Sequence, residues 1–148
     1  MLFRSYKDLR ARFADSSLDI SAIREAVLEI RKAKFPDLSV EGTAGSFFKN
    51  PIMSRQDADT LKNKYPEMPL FSMPETEGIK VPLAWLLDHA LHLRGFEMDG
   101  ARLFEKQPLV IAASRGTSAS AIKNLAAFVQ KKVFDELKIK IEPEVKII

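Results

Sequence analysis

Apolar residues recur along this chain at helical spacing in several places. At Ile20, Ile23, Val27 and Ile30 the steps are three and four residues, which predicts a helix that Asp19 or Ser21 caps. Pro36 closes it, because the residue before a proline is driven out of helical geometry. Glu41-Gly42-Thr43-Ala44-Gly45 is glycine-punctuated and reads as a loop feeding a short strand from Ser46 to Ile52. Ser54 then opens a second helix, with Asp57 as its capping-box partner and Ala58, Leu61 and Tyr65 as its stripe.

Residues 66–78 hold Pro66, Pro69, Pro74 and Gly78 and read as an ordered loop or an extended edge. Pro82 suits the first position of a third helix, with Leu83, Leu86, Leu87 and Ala90 on its buried face and Gly95 at its end. From Phe96 to Ala113 the pattern turns to strands, the run Leu109 to Ala113 being the most apolar. After a Ser/Thr/Gly turn, Ser118 or Ser120 caps a fourth helix with the stripe Ile122, Leu125, Val129 and Val133. The end begins as an alternating strand at Ile139, and Pro143 assigns it to a sheet edge or a bulge. Helices and strands mix without a βαβ rhythm. The fold class expected is α+β, about four helices packed on a small, mainly antiparallel sheet.

Residues 1–18 carry Phe3, Tyr6, Leu9, Phe13 and Leu18 among many charges, with no period long enough to make an element. They read as the tail of an upstream domain in a shortened reading frame. The 148 residues otherwise suffice for one packed core.

Charge adds little. Lys and Arg number 23 against 20 Asp and Glu, a formal net charge of +3, and Lys131, Lys132, Lys138 and Lys140 form no stripe interleaved with aromatics. Nucleic acid is therefore not the expected partner. No apolar run approaches the roughly 20 residues of a membrane-spanning helix, and no secretory leader is recognisable. A cytoplasmic protein is expected. With Cys 0, thiolate catalysis, disulfides and Cys-ligated zinc are excluded.

The phosphate loop, the dinucleotide fingerprint and the Gly-x-Ser-x-Gly elbow are all absent. His89 and His92 fall three apart on the third helix, but without an acidic third they read as surface or half-buried histidines. Trp85 reads as core or interface. Three places attract chemistry. Lys34 continues the first helical stripe and points to the packed side, either snorkelling at the helix end or held to meet an anion. Ser46, after Gly42-Thr43-Ala44-Gly45 and before Phe47-Phe48, presents one hydroxyl beside a rigid apolar wall. Glu142-Pro143-Glu144 puts two carboxylates around a strand-breaking proline, where an apolar wall would favour an acid role.

These places carry a resemblance. Gly42-Thr43-Ala44-Gly45-Ser46-Phe47-Phe48-Lys49-Asn50-Pro51 resembles the signature of the UDP-N-acetylenolpyruvoylglucosamine reductase (UDP-N-acetylmuramate dehydrogenase) family. Arg31 to Asp37, Glu105 to Val110 and Ile141 to Val145 are similar to that family's other motifs, in the same order, so the resemblance covers residues 6–148.

The resemblance implies a cytoplasmic flavoenzyme of peptidoglycan synthesis that reduces UDP-N-acetylglucosamine enolpyruvate to UDP-N-acetylmuramate with FAD and NADPH. It implies that residues 20–148 are the C-terminal substrate-binding domain and 1–19 a remnant of the missing flavin-binding domain. By motif, Ser46 would be the proton donor and Glu144 the second catalytic residue, while Lys34, Asn50 and Gln107 would bind the UDP-sugar. FAD would sit mainly in the missing domain, together with the family's catalytic arginine. Residues 100–104 depart from the family's usual pattern. The chain is then expected to be inactive without its flavin domain and to expose apolar patches where that domain docks. The alternative is a stand-alone nucleotide-sugar binding module without catalysis.

Overall fold

The computed structural model describes residues 19–73 and 77–146. In chain order these form α1 (Ile20–Lys34), β1 (Glu41–Ser46), β2 (Ile52–Met53), α2 (Arg55–Lys64), β3 (Phe71–Ser72), β4 (Ile79–Lys80), α3 (Leu83–Trp85), β5 (Glu97–Met98), β6 (Ala101–Leu103), β7 (Val110–Ser114) and α4 (Ala119–Leu137). The α3 turn runs directly into a π-helix, Leu86–Ala90. The architecture is α+β, as expected, with the strands divided between two antiparallel sheets: β1-β7-β6-β5 and β2-β4-β3. Apart from Asp19, the expected N-terminal stub lies outside the described residues.

Strand β7 lies between β1 and β6 and is covered on both faces. Ile111 joins the main core with Leu103, Leu109, Leu125, Val129 and Val133, so α4 packs on that side. Val110 and Ala112 point the other way, into a smaller cluster with Phe104 and Phe35. Double coverage explains why the sequence shows an unbroken apolar run here rather than alternation.

Capping follows the sequence closely. Asp19 accepts from the Ser21 amide at 3.3 Å, and Ser54 and Ser118 accept from the Asp57 and Ala121 amides at 3.1 Å each. Of the paired alternatives, Asp19 and Ser118 are the caps.

Four expectations need correction. The glycine-punctuated stretch is not a loop but strand β1, because the edge of β7 supplies a pairing partner that outweighs poor local propensity. Pro82 is the cap rather than the first helical residue. The third helix stops at Ala90 instead of running to Gly95. Its Leu91 amide bonds back to the Leu86 carbonyl at 3.0 Å, a widened i to i+5 turn, and His92 takes the left-handed position at φ 53°. Among the described residues the terminal segment forms one bridge, Phe48 to Pro143, since Pro143 has no amide to donate and the Ile141 carbonyl is taken by Gln130 Nε2 at 3.0 Å. Ile139 and Ile141 are nevertheless buried in the main core.

Candidate active site

One irregularity in β1 decides how the site is built. Glu41, Gly42 and Thr43 pair in step with Ser114, Ala113 and Ala112, but Ser46 pairs with Val110, so Ala44 and Gly45 together oppose Ile111. This is a β-bulge, with Gly45 at φ 81°. Without the extra residue, Ser46 would fall opposite Leu109 and face the core under α4. With it, Ser46 shares the face of Val110 and Ala112, the side opposite α4 on which Phe104 and Phe35 cluster. The hydroxyl is half-buried there, while Phe47 and Phe48 turn into the core edge-to-face, 5.1 Å apart.

The far end of the chain returns to this point. The Glu144 amide donates to the Phe47 carbonyl at 2.8 Å, and the Lys49 amide to the Glu142 carbonyl at 2.9 Å. Ser46 and Glu144, expected to act together, are thus brought within one residue of each other's backbone. The Glu144 side chain is exposed, so the apolar wall expected around it is not formed by the described residues. Glu142, also exposed, pairs with Lys49 at 3.7 Å.

Gln107 joins the group through a turn. Its amide donates to the Phe104 carbonyl at 3.1 Å and its carbonyl accepts from Val110, the partner of Ser46, at 2.9 Å. Asn50 stands on the other side of Phe47 and Phe48. Its Oδ1 accepts from the Leu83 amide at 2.9 Å, capping α3 from a distance. That structural duty was not legible in the sequence, and it leaves the Nδ2 donors for other use.

Lys34 departs from its expected place. Its side chain is exposed rather than turned to the packed side, and along the predicted stripe Ile20 is 83% exposed while Ala26, off it, is 1% exposed. The reason is Phe35. The helix ends there with extended backbone (φ −124°, ψ 155°), and the ring, not the lysine, packs on Phe104, Val110 and Ala112. The contact still sets the end of α1 over the face that carries Ser46.

That face is laced by Arg102, which lies in the segment 100–104 that departs from the family's usual pattern. Its Nη2 lies 2.8 Å from Glu41 Oε1 and its Nε 2.9 Å from Glu105 Oε1. Burial pushes the Arg102 guanidinium down, but its two carboxylate partners outweigh that and raise it. Glu105 is likewise pushed up by burial, yet its backbone amide and Arg102 hold it below the ordinary carboxylate value. The network ties the start of β1 to the turn that leads to Gln107.

His89 and His92 are both exposed. His89 stacks on Trp85 (4.6 Å, 6°) and His92 is exposed beyond the π-helix. Among the described residues no three His, Cys, Asp or Glu side chains group to hold a metal, and no helix is long and apolar enough to cross a membrane.

Residues 37–148 match the family model described as UDP-N-acetylenolpyruvoylglucosamine reductase, C-terminal domain. The chain belongs to this family. All the candidate residues except Lys34 lie inside the match. Relatives of that name include those of Pectobacterium atrosepticum, 36% identical over 144 residues, Neisseria gonorrhoeae, 36% over 143, and Flavobacterium johnsoniae, 37% over 147. The alignments take in 97%, 94% and 97% of this chain but only 41%, 41% and 43% of those proteins. The relatives are named as reductases acting on UDP-N-acetylenolpyruvoylglucosamine, so the family is one of enzymes.

Proposed function

We propose that this chain is the substrate-binding, proton-donating part of a UDP-N-acetylenolpyruvoylglucosamine reductase of peptidoglycan synthesis. The observation that carries the reading is the Glu144 to Phe47 hydrogen bond, 2.8 Å long, which joins two motifs far apart in the chain beside Ser46.

Reducing an enol-ether double bond requires hydride at one carbon and a proton at the other. Ser46, half-buried on the sheet face opposite α4, gives the proton to the carbon bearing the carboxylate. Glu144, exposed next to it, polarises the enolpyruvyl group or shares the acid role. Lys34, Asn50 and Gln107 hold the UDP-sugar, a cation and neutral amides being apt for a diphosphate.

FAD and NADPH are the cofactors this reading implies. The described residues do not suit FAD on their own: the glycine-rich stretch is a strand engaged with β7, not a turn before a helix N-terminus. The flavin therefore belongs to an N-terminal part such as the relatives possess, with residues 1–19 its remnant and 20–148 the substrate domain. The exposure of Leu28 (51%), Leu38 (71%) and Val40 (59%) supports such a partner surface. On this reading the chain alone does not turn over.

The test uses a polypeptide joining this chain to the N-terminal part of a relative. Ser46→Ala should slow reduction of the enolpyruvyl group by about 10²-fold or more while leaving oxidation of NADPH by the flavin unchanged. Equal loss in both half-reactions would sink the proton-donor role. Binding of the UDP-sugar with no turnover in the unsubstituted polypeptide would favour a binding module instead.

A further inference from the structure

A bulge that turns one side chain to the other face of a sheet has to be held. The extra residue in β1 interrupts the regular ladder with β7 and leaves strand groups to find other partners. Thr43 answers both needs with one hydroxyl. Its Oγ1 donates to the Ile111 carbonyl at 2.8 Å and accepts from the Gly45 amide at 3.0 Å. Ile111 is the residue opposite the bulge, and Gly45 is the bulged residue in left-handed geometry. A Cβ at Gly45 would meet nothing within 4 Å, so glycine is required there by conformation and not by crowding.

We infer that Thr43 is a positioning residue of this site: its hydroxyl locks the bulge that turns Ser46 away from the main core to the sheet face opposite α4. The inference deepens the reading of Ser46 as proton donor and rests on it. A hydroxyl has one proton to donate, and that of Thr43 is engaged with Ile111, so Thr43 acts through Ser46 and not on substrate. Serine retains the bridge, whereas valine keeps the shape and loses it.

The experiment is amide exchange and proton–proton contact measurement by NMR on the 148-residue chain, its Thr43→Val variant and its Thr43→Ser variant. In Thr43→Val the Gly45 amide should exchange about tenfold faster and the contact between the Ser46 β-protons and Val110 should weaken, while amides within α4 keep their rates. Thr43→Ser should restore both. Unchanged Gly45 exchange in Thr43→Val, or failure of Thr43→Ser to restore it, overturns the inference. Should Thr43→Val not fold, an unprotected Gly45 amide in the unsubstituted chain overturns it equally. Addition of UDP-N-acetylenolpyruvoylglucosamine separates the two readings. No shift at Ser46 or Gln107 in the unsubstituted chain overturns the substrate reading, and with it the role of Thr43 toward reaction, while the exchange rates still decide whether Thr43 holds the bulge. Equal shifts at Ser46 in the parent and Thr43→Val overturn the positioning role alone.

Discussion

Asp88 shows how a single pair near the surface supports the turn that carries Gln107. Arg94 forks onto Asp88, its Nε at 2.6 Å, and its Nη1 reaches the Glu105 carbonyl at 3.2 Å. The π-helix is thereby tied to the Glu105 turn. The hydrogen-bonded guanidinium holds the Asp88 carboxyl below its ordinary value of 3.8 despite the upward push of burial. A carboxyl depressed in the folded state stabilises the fold above its unfolded value, and the contribution fades as pH falls through the folded one. Asp88→Asn should therefore lower stability at neutral pH by roughly 0.5–1 kcal/mol, since Arg94 is half-exposed and screened. In urea titrations the gap to the parent chain should close below pH 3.8. A gap independent of pH would mean that packing, not charge, is what asparagine disturbs.

Among the elements, the β5–β6 hairpin depends closely on its turn. Asp99 and Gly100 both have positive φ, 53° and 81°, between the paired residues Met98 and Ala101. That is a type I′ turn, whose twist suits a hairpin and whose Asp-Gly sequence is a strong local signal. This Asp-Gly pair lies inside the stretch from Phe96 to Ala113 expected as strands, where it marks the turn between two of them. A Cβ on Gly100 would also stand 2.8 Å from Thr117 Oγ1, which itself donates to the Gly100 carbonyl at 3.1 Å. Gly100→Ala should cost about 1–2 kcal/mol from the left-handed backbone alone, and displacement of Thr117 adds to it. Thermal unfolding checks the loss. A variant as stable as the parent would show that the turn relaxes to another type without penalty.

For the molecule as a whole, Phe48 is the residue that fastens the terminal segment to the core. It is 1% exposed, sits in the main core, and bridges to Pro143 in the terminal segment. Truncation to alanine should remove about 3–5 kcal/mol, a large share of the roughly 5–15 kcal/mol that holds a domain folded. Phe48→Ala should lower the urea midpoint and release the terminal segment first, seen as faster exchange of the Glu144 amide than of amides in α4. Loss of both together at one rate would show that the terminal segment is an inseparable part of the cooperative core.

Local chemistry was enough to place the starts of α1, α2 and α4, because a cap lies within a few residues of the amide it serves. Ser54 caps as expected, Asp19 and Ser118 are the caps among the alternatives, and of the α4 stripe Leu125, Val129 and Val133 are buried and Ile122 partly so. The motifs around Ser46, Gln107 and Glu144 were equally legible, since a family signature is a property of order and spacing. What the sequence could not supply was whatever depends on a distant partner. That β1 is a strand follows from β7, which follows it in the chain by more than the length of a helix. That Lys34 is displaced by Phe35 follows from the cluster of Phe104, Val110 and Ala112. That Asn50 caps α3 follows from where Leu83 comes to rest. The direction of the Ser46 hydroxyl is the sharpest case. One extra residue in a ladder reverses the face of everything after it, and only the packed sheet determines where that residue is accommodated.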